Sequence, residues 1–140
     1  MPFVRRIALA LAVAAFAVNP SVAQTWPNKP IRLIAVFPPG GSVDQVARIL
    51  AQPLSKQLGQ SVVVENIGGA SGSIGTNAVA KAAPDGYTFG IVFDTHGTNA
   101  SLIPSIAYDT LKDLEHVTLI GTSPMALVAS AKSPYSKMAD

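Results

Sequence analysis

The chain has 140 residues, 10 Lys and Arg against 8 Asp and Glu, and no cysteine. Arg5 and Arg6 belong to an N-terminal leader, so the rest of the chain balances at 8 against 8 and the basic pI carries no message about nucleic acid. No Lys/Arg cluster remains there to neutralise successive phosphates, which argues against a DNA or RNA partner, and the lack of cysteine removes a disulfide framework, a thiolate metal site and a cysteine nucleophile.

Arg5 and Arg6 precede an unbroken apolar run over 7–18, and Ser21, Val22 and Ala23 place small residues where a signal peptidase reads. This pattern predicts a secretory signal over 1–23, cleaved after Ala23. The alternative, a membrane anchor, needs about 20 apolar residues, and the run is shorter. The remainder is long enough for one small domain.

A β-rich stretch over 31–36 leads into Phe37, Pro38, Pro39, Gly40, Gly41, Ser42, Val43 and Asp44. Ser42 and Gln45 have the spacing of a capping box, which predicts a helix starting there and pointing its unpaired N–H groups and positive dipole end at a carboxylate or phosphate. Val43, Val46, Ala47, Leu50, Leu54 and Leu58 continue at helical spacing to a C-capping Gly59, with Pro53 expected to kink or interrupt the helix.

A second strand over 62–65 leads into the glycine-rich Gly68, Gly69, Ala70, Ser71 and Gly72, then a shorter helix carrying Ile74, Ala78, Val79 and Ala82. Pro84, Asp85 and Gly86 turn into a third strand over 87–93, and two further strands are expected over 117–120 and 125–129. Residues 133–140 read as a turn followed by a helix start that does not develop, the look of a fragment. Strand, loop and helix alternate, so the fold class is α/β with a parallel sheet covered by helices on both faces, and a ligand would sit beyond the carboxyl ends of the strands.

Several chemistries are weighed at that edge. Neither glycine-rich loop has the Gly-Lys-Ser/Thr ending of a phosphate loop or the spacing of a dinucleotide site. Ser42, Ser71 and His96 can be drawn as a secreted serine hydrolase, but no G-x-S-x-G elbow is present and a serine at a helix start is usually a cap. His96 and His116 have no acidic partner at metal-ligand spacing. His96 follows the third strand and can donate to a ligand or be a plain loop histidine; His116 is read as structural. Asp44 fits a dipole-stabilising role. Glu65 and Asp94, at strand ends, are candidate acceptors for an ammonium group, and Phe37 and Pro38 would wall the pocket.

Taken together, the residues resemble a known family. Trp26, Pro27, Asn28, Lys29, Pro30, Ile31 and Arg32, then Phe37 to Asp44, then Val62, Val63, Val64, Glu65 and Asn66, then Ala80, Lys81, Ala82, Ala83, Pro84, Asp85, Gly86 and Tyr87, are similar in order and spacing to the Bug-type substrate-binding proteins of tripartite tricarboxylate transporters. The likeness continues through Asn99, Ser101, Leu102, Tyr108, Asp109, Lys112, Asp113 and Leu114, so it covers essentially everything after the leader.

The resemblance implies a periplasmic binding protein, type II-like, with two α/β lobes closing over a small carboxylate, either a di- or tricarboxylate or an acidic amino acid. It implies no catalysis, cofactor or metal, and permease subunits in the membrane as partner. Carried over by motif position, the ligand-binding residues are Phe37, Pro38, Gly40, Gly41, Ser42 and Asp44; Gly69, Ala70, Ser71 and Gly72; and Thr95 and His96. Residues 24–123 would be the first part of lobe one and 124–140 the crossover and start of lobe two. The family's second loop usually runs Arg-Pro-Gly-Ala-Gly-Gly, whereas Ile67, Gly68, Gly69, Ala70, Ser71 and Gly72 here lack the cation and the proline, which leaves ligand preference open. Ala100 replaces a common proline, and Pro53 falls where the helix is normally uninterrupted. Alternative roles are a ligand-loaded sensor for a membrane receptor, the secreted serine hydrolase, and a nonfunctional truncated product.

Overall fold

The computed structural model of the chain describes residues 25–134 and 137. The expected signal over 1–23 and the final positions of the 124–140 segment lie outside the described residues.

The centre of the fold is β1 (Ile31–Ala35). Its apolar sequence is explained by burial on both faces: Ile31, Leu33, Ile34, Ala35 and the following Val36 are all buried. β2 (Val62–Asn66) and β3 (Thr88–Ile91) flank it in the order β2-β1-β3, both parallel to it, with Leu33 opposite Val64 and Phe89. The expected parallel sheet is therefore present, and the second and third strands differ from the sequence reading only at their ends.

α1 (Ser42–Leu58) returns from β1 to β2 and buries Val43, Ala47 and Ala51, one apolar residue per turn, with Val43 and Ala47 packed in one cluster with Leu33, Ala35 and Ile91. Gly59 ends it in the left-handed conformation, as expected. The helix runs unbroken through Pro53. Pro53 is exposed, and the carbonyl its missing N–H would have met belongs to Ile49, which is 71% exposed, so water can serve that carbonyl. Near the end of α1, the Ser55 hydroxyl donates to the Ala51 carbonyl (2.7 Å) and accepts from the Val62 N–H (2.9 Å), tying the helix to the start of β2.

α2 (Ser73–Ala80) crosses the opposite face of the sheet on the way to β3. It lies so close that a Cβ on Gly75 would sit 3.0 Å from the Val36 Cα. Helices on both faces follow from the strand order itself, since right-handed crossovers that move first to one side of β1 and then to the other must lie on opposite faces. α3 (Thr95–Leu102) follows β3.

At the opposite, amino-terminal edge, residues before β1 are clasped to the turn before β3. The Tyr87 hydroxyl donates to Asn28 Oδ1 and accepts the Asn28 N–H, both at 2.9 Å, while Lys29 pairs with Asp85 at 2.9 Å and lies over the Tyr87 ring.

The strands expected over 117–120 and 125–129 do not form; that segment has no regular secondary structure, and Val117, Leu119, Met125, Leu127 and Val128 are largely exposed. A strand needs a partner edge for its backbone groups, and none of the three sheet strands pairs with this segment. Among the described residues no helix is long and apolar enough to cross a membrane.

Candidate functional site

Because all three strands run the same way, their carboxyl ends present the loop 36–41, the loop 67–72 and the segment 92–94 on one edge. The first loop is built around Asp44. Its carboxylate accepts the Gly40 N–H (2.9 Å), the Asn66 side-chain amide (2.9 Å) and the Arg48 guanidinium (3.0 and 3.1 Å). Asn66, the last residue of β2, also donates to the Phe37 carbonyl at 3.1 Å, and Arg48 donates to Asn66 Oδ1 at 3.3 Å. Arg48, the Gly40 N–H and Asn66, in that order of influence, hold the Asp44 carboxyl at about 2.

This arrangement replaces the expected capping box. Gly41 is the N-cap, with extended backbone and no side-chain cap bond, and Ser42 is already helical, so its hydroxyl is not placed to cap the first turn. Asp44 reaches back one residue beyond the N-cap to the Gly40 N–H, and Gln45 donates its side-chain amide to the Gly40 carbonyl at 3.1 Å. The first-turn N–H groups of α1 have no intrahelical acceptor and lie behind the exposed Pro38, Gly40, Gly41 and Ser42. Asp44 is buried, with its side chain 5% exposed and its oxygens engaged within the chain. The half-buried Phe37 sets its ring edge-on to Phe93 at 6.4 Å, closing the floor between the first and third loops.

The second loop is a tight turn of Ala70–Gly72 with unusual backbone. Gly69 has φ 123°, Ala70 45°, Ser71 54° and Gly72 85°. Gly72 has no room for a side chain: a Cβ there would lie 2.9 Å from Val36 Cγ2 and 3.3 Å from the Phe37 ring, so the two glycine-rich loops pack directly on each other. The Ser71 carbonyl accepts from Thr95 Oγ1 (3.2 Å) and from the side-chain amide of Asn99 (2.9 Å), which joins the second loop to α3.

Of the two residues expected after β3, Thr95 thus donates to the second loop. His96 turns inward, 8% exposed, stacked on Tyr108 with ring centroids 6.3 Å apart and 5.7 Å from His116. Its Nδ1 is buried without a hydrogen-bond partner, and burial first, then His116, pushes its pKa below the usual histidine value. No hydrogen bond joins His96 to Ser42 or Ser71 among the described residues. Glu65 is engaged by Arg32 in a two-pronged pair at 2.7 and 3.0 Å, which lowers its pKa. Asp94 is exposed at the start of α3. Among the described residues no three His, Asp or Glu side chains gather as a metal site.

Sequence reasoning missed the parts played by Asn66, Arg48 and Asn99. The Asp44–Arg48 spacing of four is a legible helix pair; Asn66 and Asn99 fall within the family-like runs, but nothing in the residue pattern says which loop they serve.

A family model described as "Tripartite tricarboxylate transporter family receptor" matches residues 46–140. The chain belongs to this family. It is 48% identical over 115 residues to the protein BugT of Bordetella pertussis, covering 81% of this chain and 35% of that one, and 42% identical over 135 residues to a UPF0065 protein of Bordetella bronchiseptica, covering 92% and 39%. The chain therefore spans little more than a third of the length of these curated relatives. Among solved structures it is similar to the periplasmic binding protein BugD (41% identity, TM-score 0.61, covering 63% of this chain and 29% of that one). It is also similar to MatC from Rhodopseudomonas palustris with bound malate (38%, TM-score 0.59, covering 63% and 30%). The parallel sheet with its helices matches part of the fold of these periplasmic binding proteins.

Proposed function

We propose that this chain captures a small carboxylate in the periplasm, the cradle of loops 36–41 and 67–72 supplying one wall of the binding cleft. The observation that carries the reading is the N-terminus of α1 at the sheet's carboxyl edge: its orphan N–H groups and dipole favour an anion, while the nearby acid, Asp44, is tied to Arg48 and Asn66. Loaded protein would deliver its cargo to permease subunits, with closure of two lobes as the signal that the membrane partner reads. Family membership and the malate held by MatC support a di- or tricarboxylate, with an acidic amino acid as the alternative ligand. Export would depend on the expected signal over 1–23. The ligand contacts proposed are Phe37, Pro38, Gly40, Gly41 and Ser42 in the first loop and Gly69, Ala70, Ser71 and Gly72 in the second, with Asp44, Thr95 and His96 shaping the cleft from behind.

Calorimetric titration of the full exported chain with malate, succinate, citrate and glutamate tests the reading. Saturable uptake of one or more, lost in Gly41→Val by obstruction of the backbone approach, is expected. Heat from none of them, with a folded protein, overturns it.

A further inference from the structure

We propose that Asn99 is the positioning residue of the second binding loop, holding a strained turn in the shape that faces the ligand without touching the ligand itself; this rests on the carboxylate-capture reading. Two successive non-glycine residues, Ala70 and Ser71, have positive φ of 45° and 54°. Such backbone costs free energy and persists only where the surroundings hold it. The holding groups are identifiable. Asn99 is 2% exposed, and its amide Nδ2 donates to the Ser71 carbonyl at 2.9 Å; Thr95 Oγ1 adds a second, longer donor at 3.2 Å. From beneath, Val36 and Phe37 pack against Gly72 so closely that the turn cannot sink toward the sheet.

The Ser71 carbonyl is thus turned inward onto α3, which leaves the exposed Ser71 side chain on the outer side of the turn. Removing the Asn99 donor leaves a carbonyl with one weaker partner and lets Ala70 and Ser71 relax to ordinary negative φ. The loop would then have to be rebuilt at each binding event, so affinity falls through lost preorganisation. α3 becomes the brace of the second loop, as Asn66 at the end of β2 is the brace of the first.

The test uses the full exported chain and malate as probe, with hydrogen–deuterium exchange of the unliganded protein as a second readout. Asn99→Ala is expected to weaken malate binding about tenfold, the scale of one lost buried hydrogen bond. It should speed exchange over residues 67–73 while peptides covering 31–35 keep their protection. In a Ser71→Gly background, where glycine accepts the left-handed conformation unaided, the same Asn99→Ala change should speed exchange over residues 67–73 by less than about threefold, the difference being the coupling between the two positions. Equal acceleration in both backgrounds, or faster exchange throughout the sheet, would make Asn99 an ordinary core residue and overturn the proposal. Should Asn99→Ala fail to fold, Asn99→Leu keeps about the size, loses the donor and adds no charge, and is read by the same two measurements. If the wild type binds none of the carboxylates, the capture reading fails by itself, and exchange over 67–73 still decides whether Asn99 holds the turn.

Discussion

Asp44 shows how a carboxylate can stand inside the loop proposed to cradle an anion without carrying an unpaired charge there. Its oxygens are satisfied by Arg48, the Gly40 N–H and Asn66, so its charge is spent on loop shape. Because its carboxyl is held at about 2, below its ordinary 3.8, the stabilisation is complete above pH 3.8 and disappears as pH falls through about 2. Asp44→Ala is therefore expected to lower the melting temperature by several degrees at pH 7, with the gap to wild type closing in acid; thermal unfolding followed between pH 7 and pH 2 measures it. His96 has the opposite chemistry but the same sign. Its pKa is depressed by burial, so the neutral ring belongs to the folded state, and stability is lost as pH falls below 6.5. His96→Gln should flatten the fall in melting temperature between pH 7.5 and pH 5.5; a variant as steep as wild type would rule out His96 as its source. The residue pattern put Asp44 and His96 at the right edge of the fold. It could not show that both turn inward, because burial and partner choice depend on Asn66 and Tyr108, which arrive from distant parts of the chain.

At the scale of elements, the legible features came from local rules. The individual strands and helices, the left-handed Gly59 and the glycine-rich turns come from patterns contained within a few residues of each other, and the parallel pairing follows from the alternation of those elements. Two expectations failed for reasons that are not local. The helix passes Pro53 because the affected carbonyl faces solvent, which depends on which side of α1 packs on the sheet. The apolar segments over 117–120 and 125–129 have strand propensity, but propensity without a partner edge makes no strand. The sheet's own stability is concentrated in β1, whose Ile34 is fully buried on the α2 side. Ile34→Ala should cost roughly 2–5 kcal/mol by removing buried methylenes from a site with little freedom to collapse. Chemical denaturation is the measurement, and a loss below about 1 kcal/mol would mean that α2 and the sheet can close over the gap.

For the molecule as a whole, the decisive feature is the imbalance between its two ends. Residues 31–102 hold a sheet, its two crossover helices and α3, whereas Leu119, Met125, Leu127 and Val128 are each at least 78% exposed. Single exposed apolar side chains are ordinary, but a run of them is a surface that seeks cover. None of these four side chains contributes to the buried core, which consists of residues between Ile31 and Tyr108. The polypeptide of residues 24–140 is therefore expected to self-associate and to bind hydrophobic dyes through this segment. Leu119→Ser together with Leu127→Ser should reduce both while leaving hydrogen-exchange protection in β1, β2 and β3 unchanged. If protection in the sheet falls along with dye binding, the segment packs on the sheet in solution, and 117–129 belongs to the folded unit. If dye binding persists, the remaining Met125 and Val128 of the segment, or Leu111 and Leu102 before it, carry the apolar surface and are the next groups to replace.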